Sequence, residues 1–223
     1  MKKGKLVVFE GIDGSGKSVN YKKLCENLAK DNIEYYNIVF PRYDKESSAL
    51  IRMYLNGEMG SKPDDVNAYA ASIFYTVDRF ASYKNDWGEL YDNGKLIISD
   101  RYTTSNAVHQ GAKLNDSELT AYYDWLEDIE FNKMGLPKPD LVIYLESELE
   151  LSLSRMKKRQ ETTNTKADIH EKDIEYLNKC LKTAEKACSY YNWVKIPCRD
   201  SDGNEISLEH KYDMIYKLVK DIL

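Results

Sequence analysis

Apolar positions along this chain follow two rhythms that take turns. Short runs without helical spacing, rich in β-branched and aromatic residues, occur at Leu6 to Phe9, Tyr35 to Phe40, Lys95 to Ser99, Leu141 to Leu145 and Trp193 to Ile196, and they read as strands. Between them the apolar residues recur every three or four positions. The stretch from Val66 to Tyr83 shows this most clearly, with Ala70, Ile73, Phe74, Val77, Phe80 and Ala81 on one side of a helix. Further helices are predicted over Tyr21 to Ala29, Ser47 to Leu55, Trp87 to Leu90, Asp116 to about Lys133, Glu148 to Lys158, Asp168 to Tyr190 and Leu208 to Leu223. Strands separated by helices predict an α/β domain, a mainly parallel five-stranded sheet covered on both faces and wound with right-handed crossovers. The order of the strands is not contained in this pattern.

The first strand runs into Gly11-Ile12-Asp13-Gly14-Ser15-Gly16-Lys17-Ser18, which carries the glycine, lysine and hydroxyl spacing of a nucleotide-phosphate loop. Its context gives the pattern weight. A strand precedes it, a helix follows, and the glycines allow a tight turn between them. Successive backbone N–H groups then face bound phosphates, the helix end adds positive potential, Lys17 supplies a mobile cation and the Ser18 hydroxyl is placed to ligate magnesium.

Other polar residues interrupt the pattern where the sheet is expected to end. Pro41 stops the second strand and leaves Arg42 and Tyr43 beyond its carboxyl end, where open α/β sheets bind ligands; a solvated loop cation is the plain alternative for Arg42. Asp78-Arg79 breaks the apolar surface of its helix, either as a cleft pair beside Phe74 or as a surface salt bridge. Asp100-Arg101-Tyr102 follows the third strand. There a carboxylate can hold magnesium through oxygen or water and an arginine can bracket a phosphate, or the aspartate can simply cap a helix. Thr103 to Gly111, with Ser105, Asn106, His109 and Gln110, is too polar for ordinary core. The basic run Arg155-Met156-Lys157-Lys158-Arg159 leads into Gln160 to Ala167, which lacks apolar spacing and reads as a flap or a solvated loop.

Composition narrows the picture further. The chain has 223 residues, enough for one well-buried α/β domain, and one domain over 1–223 is the expectation. A formal charge of −5 makes a broad nucleic-acid-coating surface unexpected. The four cysteines form no CxxC pair, the chain opens on a strand rather than a secretory segment, and no apolar run approaches membrane-spanning length. A cytoplasmic setting without membrane attachment is therefore expected. The 18 tyrosines read mostly as amphipathic packing residues. No internal repeat, zinc pattern or Ser-His-Asp arrangement stands out.

Taken in order, these blocks resemble the thymidylate kinase family over almost the whole chain. Phe9 to Ser18 looks like the family's phosphate loop and Phe40-Pro41-Arg42-Tyr43 like its acceptor-side motif. Phe74 through Asp78-Arg79 looks like the base-binding helix, and Asp100-Arg101-Tyr102 with Ser105-Asn106 like the family signature. The resemblance implies a P-loop NTPase fold with strand order 2-3-1-4-5, a single nucleoside monophosphate kinase domain with a lid over 155–168, and a homodimer. It also implies transfer of the terminal phosphoryl group of ATP to dTMP with Mg2+.

It assigns roles as well. Gly11, Ile12, Asp13, Gly14, Ser15, Gly16, Lys17 and Ser18 would hold ATP, with Ser18 on the metal and Asp100 reaching it through water. Arg101 and Arg42 would hold the acceptor phosphate beside Tyr43. Phe74 would stack on thymine, Arg79 and Asn106 would address its polar edge, and Asp13 would meet the sugar hydroxyl or the metal shell. The family places a catalytic arginine either in the phosphate loop or in the lid. Position 14 is glycine here, so the lid residue Arg159, with Arg155 or Lys158 as partner, would supply it. The segment Asp168-Ile169-His170-Glu171 resembles the family's stretch after the lid, with His170 a structural hydrogen-bonding residue.

Two positions depart from the family pattern. Val19 stands where threonine is usual, and His109 where a tyrosine often packs by the deoxyribose. Kinases of other nucleosides or nucleoside monophosphates, and a nucleotide-dependent switch without a small acceptor, are the alternatives.

Overall fold

The computed structural model describes residues 3–163 and 168–223. Five strands, β1 (Leu6–Glu10), β2 (Tyr35–Val39), β3 (Leu96–Asp100), β4 (Leu141–Leu145) and β5 (Val194–Ile196), form one sheet in the order β2-β3-β1-β4-β5. Every pairing is parallel. The expected architecture and strand order are both observed. All residues of β1 and β4 are buried, which is why these strands read as continuous apolar runs rather than alternating ones.

Side chains of β1 alternate between the two faces. Val7 and Phe9 pack with Leu24 and Leu28 of α1 (Lys17–Lys30) and with Ile215 and Val219 of α9 (Leu208–Asp221). Leu6 and Val8 pack on the opposite face with Trp87, Ile97, Tyr102 and Val142. Each such buried aliphatic side chain contributes about 1.5–3 kcal/mol relative to exposure, so the strand that feeds the loop at residue 11 is held firmly from both sides.

Helix α2 (Ala49–Leu55) falls within the stretch read as Ser47 to Leu55, whereas other helix boundaries differ from the sequence reading in ways that have physical causes. The helices expected over Val66 to Tyr83 and Trp87 to Leu90 join into one run: α3 (Ala68–Ser82), a π turn (Tyr83–Trp87) and α4 (Gly88–Asp92). No proline or capping glycine interrupts them. The polar stretch after β3 is helical as well, from α5 (Thr103–Ser105) through a π segment (Asn106–Gln110) to a 3-10 turn (Gly111–Lys113), and it is almost wholly buried. Next, α6 (Asp116–Glu127) widens into a π segment (Asp128–Lys133), which carries Glu130 into the interior.

The basic helix α7 spans Leu149–Thr163, so it runs past Gln160, where a flap was expected to begin; the remainder of that expected flap, 164–167, lies outside the described residues. Residues 168–173 are turns rather than helix. Asp173 then starts α8 (Ile174–Tyr191) by accepting the Tyr176 N–H at 2.9 Å. Among the described residues no helix is long and apolar enough to cross a membrane.

Candidate active site

The octapeptide after β1 turns where its glycines permit it. Gly14 adopts φ +80°, and a Cβ there would lie 2.4 Å from the Ser152 carbonyl oxygen. Helix α7 therefore fills the space into which a side chain at position 14 would project. The same helix sends Arg155 back, and its Nη1 donates to the Gly14 carbonyl at 3.3 Å. The helix that leaves no room for a side chain at position 14 thus also brings Arg155 beside the loop.

Lys17 lies within the loop and is buried. Its Nζ donates to the carbonyls of Gly11 (2.7 Å) and Ile12 (3.2 Å). Burial lowers its pKa and neighbouring Arg101 pushes the same way, while Asp13 opposes them. Ser18 and Val19 face the same open cleft, about 710 Å3 in volume, together with Asp100, Arg155 and Arg159.

Beyond the loop, the site is organised around Arg101. Its φ of +67° is rare for a side-chain-bearing residue and costs about 1–3 kcal/mol. That turn, anchored by the Arg101 N–H on the Phe9 carbonyl at 3.0 Å, swings the guanidinium across the end of β1. There Nη2 donates to Asp13 Oδ1 at 2.6 Å, while Nη1 faces Glu10 Oε1 (3.3 Å), Ser105 Oγ (3.2 Å) and His109 Nε2 (3.2 Å). Burial works against both charges. The pairing nevertheless holds the Asp13 carboxyl well below its ordinary pKa and the Arg101 guanidinium above its own.

Because guanidinium can only donate, His109 Nε2 accepts. Its Nδ1 then carries the proton, toward Cys180 Sγ at 3.6 Å. Burial, reinforced by Arg101, places the His109 pKa well below the usual value, so this imidazole is neutral. His170 stacks on it at 5.9 Å between centroids and shares a 2.7 Å hydrogen bond with the Tyr54 hydroxyl. Burial, with Lys113 nearby, lowers the His170 pKa to about 3. It is a structural hydrogen-bonding residue that also lines the cavity.

A narrower cavity of about 90 Å3 extends inward from Arg101. Tyr75 and Arg79 face it from α3, and Asn106, His109 and Gln110 from the π segment after α5. Phe74, expected to line this space, does not. Phe74 and Tyr75 both pack against the group formed by Ile51, Tyr54, Leu55, Ala71 and Ile169, but only Tyr75 also lines the cavity. Helix phase explains the difference: Tyr75 is four residues before Arg79 and shares its face, whereas Phe74 is five before and is rotated away. That spacing was the available signal.

Arg79 is also more constrained than a free reader of a ligand edge. It forms a buried ion pair with Glu130, and its Nη1 donates to the Tyr102 carbonyl at 3.3 Å. Thr76 donates to the same Glu130 carboxylate at 2.7 Å and Asn106 Nδ2 to the Ser72 carbonyl at 3.2 Å. Arg42 does not line either space. Its backbone N–H and Nε bond Asp78 at 2.9 and 3.2 Å, and its guanidinium also pairs with Asp86, so the two acidic residues on the helical run hold it aside.

On α7, Arg159 is ion-paired with Glu171 and Arg155 with Glu205. Asp168 accepts the N–H groups of His170 (2.8 Å) and Glu171 (2.9 Å), yet burial raises its pKa to about 6. No cluster of three or more metal-ligating side chains occurs among the described residues. A magnesium ion that keeps waters and phosphate ligands needs only one or two protein oxygens. Asp100 Oδ1 fits that requirement, since it is buried without a hydrogen-bond partner and faces the cleft that holds Ser18.

Comparison with known proteins agrees with the fold. The family described as thymidylate kinase matches residues 9–202. Thymidylate kinase of Mycobacterium tuberculosis strain H37Rv is 32% identical over 172 residues, covering 76% of this chain and 79% of the relative, with the same values for strain CDC 1551. A putative thymidylate kinase 251L of Invertebrate iridescent virus 6 is 32% identical over 201 residues, covering 87% of this chain and 80% of the relative. The solved structure of Candida albicans thymidylate kinase superposes with a TM-score of 0.67 at 21% identity, spanning 98% of this chain and 92% of its own, and supports the fold.

Proposed function

The chain belongs to the thymidylate kinase family, and we propose on that premise that it transfers the terminal phosphoryl group of ATP to dTMP, forming ADP and dTDP. The observation that carries this reading is the shared wall between the two spaces. Asp13, Phe40, Pro41, Tyr43, Arg101 and Asp168 line both the open cleft of the phosphate loop and the inner cavity. A donor phosphate on the loop and an acceptor phosphate at Arg101 therefore meet at one boundary.

The reaction needs alignment more than a base, because the acceptor oxygen is already anionic. That oxygen forms a bond to the γ-phosphorus as the bond to the β,γ-bridging oxygen breaks and ADP departs with the electron pair. Lys17 leaves the Gly11 and Ile12 carbonyls to follow the donor phosphates. Arg101 holds the acceptor phosphate with its two-nitrogen edge. Arg159, with Arg155 beside it, supplies positive charge from α7 where charge develops on the transferring group. Ser18 and, through water, Asp100 would hold Mg2+, which would neutralise charge on the donor phosphates.

For the acceptor base, Tyr75 rather than Phe74 offers the ring against thymine, with Arg79 and Asn106 toward its polar edge. Gln110 Oε1, buried and unpaired, is a further acceptor at this end. His109 lies by the sugar, its Nε2 engaged by Arg101.

A homodimer is supported by the apolar stripe Tyr69, Ile73 and Val77 on α3, respectively 39%, 36% and 43% exposed at helical spacing. Light scattering is expected to give twice the chain mass; a monomer throughout the working concentration range would exclude the pairing. For the chemistry, a coupled ADP assay over a panel of nucleoside monophosphates should show magnesium-dependent turnover that requires dTMP. Turnover with CMP or UMP and none with dTMP would overturn the substrate assignment. Tight ATP binding without turnover on any acceptor would favour a switch.

A further inference from the structure

Glu10 is the last residue of β1, fully buried, and it lines neither the donor cleft nor the acceptor cavity. A lone carboxylate in the core is costly unless its oxygens are satisfied. Here every partner is a donor. Oε1 accepts the Gly11 N–H at 2.8 Å and faces Arg101 Nη1 at 3.3 Å, while Oε2 accepts the Thr104 and Ser105 hydroxyls, each at 2.7 Å. Gly11 opens the phosphate loop, Arg101 follows β3, and Thr104 and Ser105 form the short helix that presents Asn106 and His109. One carboxylate thus ties together three segments that serve different substrates.

We propose that Glu10 is a positioning residue that sets the distance between the donor loop and the acceptor-phosphate arginine. The proposal rests on the assignment of Arg101 to the acceptor phosphate. The remainder of that guanidinium is held by Asp13, which is part of the loop and lies at the mouth of the cleft. When an acceptor phosphate competes with Asp13 for Nη2, Glu10 is the carboxylate that still anchors Nη1 beneath it. Arg101 can then exchange one partner for substrate without leaving its place relative to Gly11. A group acting this way affects how well two bound substrates are aligned and has little effect on whether either one binds.

Glu10→Gln tests this directly, because an amide oxygen can keep the Gly11 N–H and Arg101 while its NH2 donates to the two hydroxyls, which can accept. Charge is lost with little change of shape. The expected result is a kcat lowered about tenfold, with KM for dTMP and ATP within about threefold of the parent and an unaltered folded fraction. Thr104→Val, which removes one donor on the side away from substrate, should lower kcat about threefold in the same pattern, and it serves if Glu10→Gln does not fold. Parental kcat in the variant that folds overturns the proposal, as does a loss accounted for by unfolded protein or carried by KM alone. If the parent protein does not phosphorylate dTMP, the functional reading itself fails, which is a separate outcome from parental behaviour of the variants.

Discussion

Replacing Lys17 by alanine is expected to lower kcat for dTMP phosphorylation by about 10²- to 10³-fold while leaving dTMP binding largely intact. The Lys17 Nζ is enclosed by the loop and satisfied by the Gly11 and Ile12 carbonyls, so no other described cation occupies that position in the loop. A charge that leaves those carbonyls for the donor phosphates contributes most when negative charge shifts toward the leaving group, and alanine removes it altogether. Folding should be less affected, because Lys17 itself lines the open cleft, so that water entering the space its side chain vacates can bond the two freed carbonyls. Steady-state turnover alongside dTMP titration by calorimetry separates the two effects. Parental turnover in Lys17→Ala would contradict the assignment of the octapeptide as the donor site.

The second large effect is expected on stability. Arg79 and Glu130 are 1% and 0% exposed, and each is the other's counter-charge. Removing one partner of such a pair leaves an uncompensated buried charge, at a cost of about 3–5 kcal/mol. Arg79→Ala should therefore lower the melting temperature by about 10 °C for a chain of this size. Replacing both residues by apolar ones of similar volume, as in Arg79→Met with Glu130→Leu, should restore much of that loss, because the buried charge disappears with its partner. If Arg79 also addresses the thymine edge, the double variant remains impaired in KM for dTMP despite its recovered stability. A melting temperature for Arg79→Ala within about 2 °C of the parent would show that the pair is not the constraint described here.

The contrast between Arg79 and Glu130 shows what could be read from the chain alone. Sheet class and the loop were legible because β1 and β4 are buried on both faces and leave unbroken apolar runs, and because Gly11 to Ser18 carries its own spacing. Arg79 was visible as a charge on an apolar helix face. Glu130 was not, since it sits where α6 widens into a π segment and regular 3.6-residue periodicity no longer indicates which side chain turns inward.

Phase also governs Phe74 and Tyr75. Two adjacent aromatics on one helix cannot be ranked by composition, and only their distance from Arg79 identifies the one that shares its face. Arg42 illustrates a different limit. Its position after Pro41 was correctly read as the end of a strand, but the acidic residues that hold it, Asp78 and Asp86, lie on the helical run from Ala68 to Asp92, and a linear pattern carries no record of that contact. Glu10 belongs with these cases, as a charge inside a strand whose purpose becomes visible only when Gly11, Arg101, Thr104 and Ser105 are seen around it.

On the proposed function, the phosphate loop and the cavity behind Arg101 are two halves of one phosphoryl-transfer site, and the fate of the label from γ-32P-ATP in the presence of dTMP and magnesium decides whether they are. Label is expected in dTDP, in step with ADP. Label released only as inorganic phosphate, with dTMP unchanged, would contradict that reading.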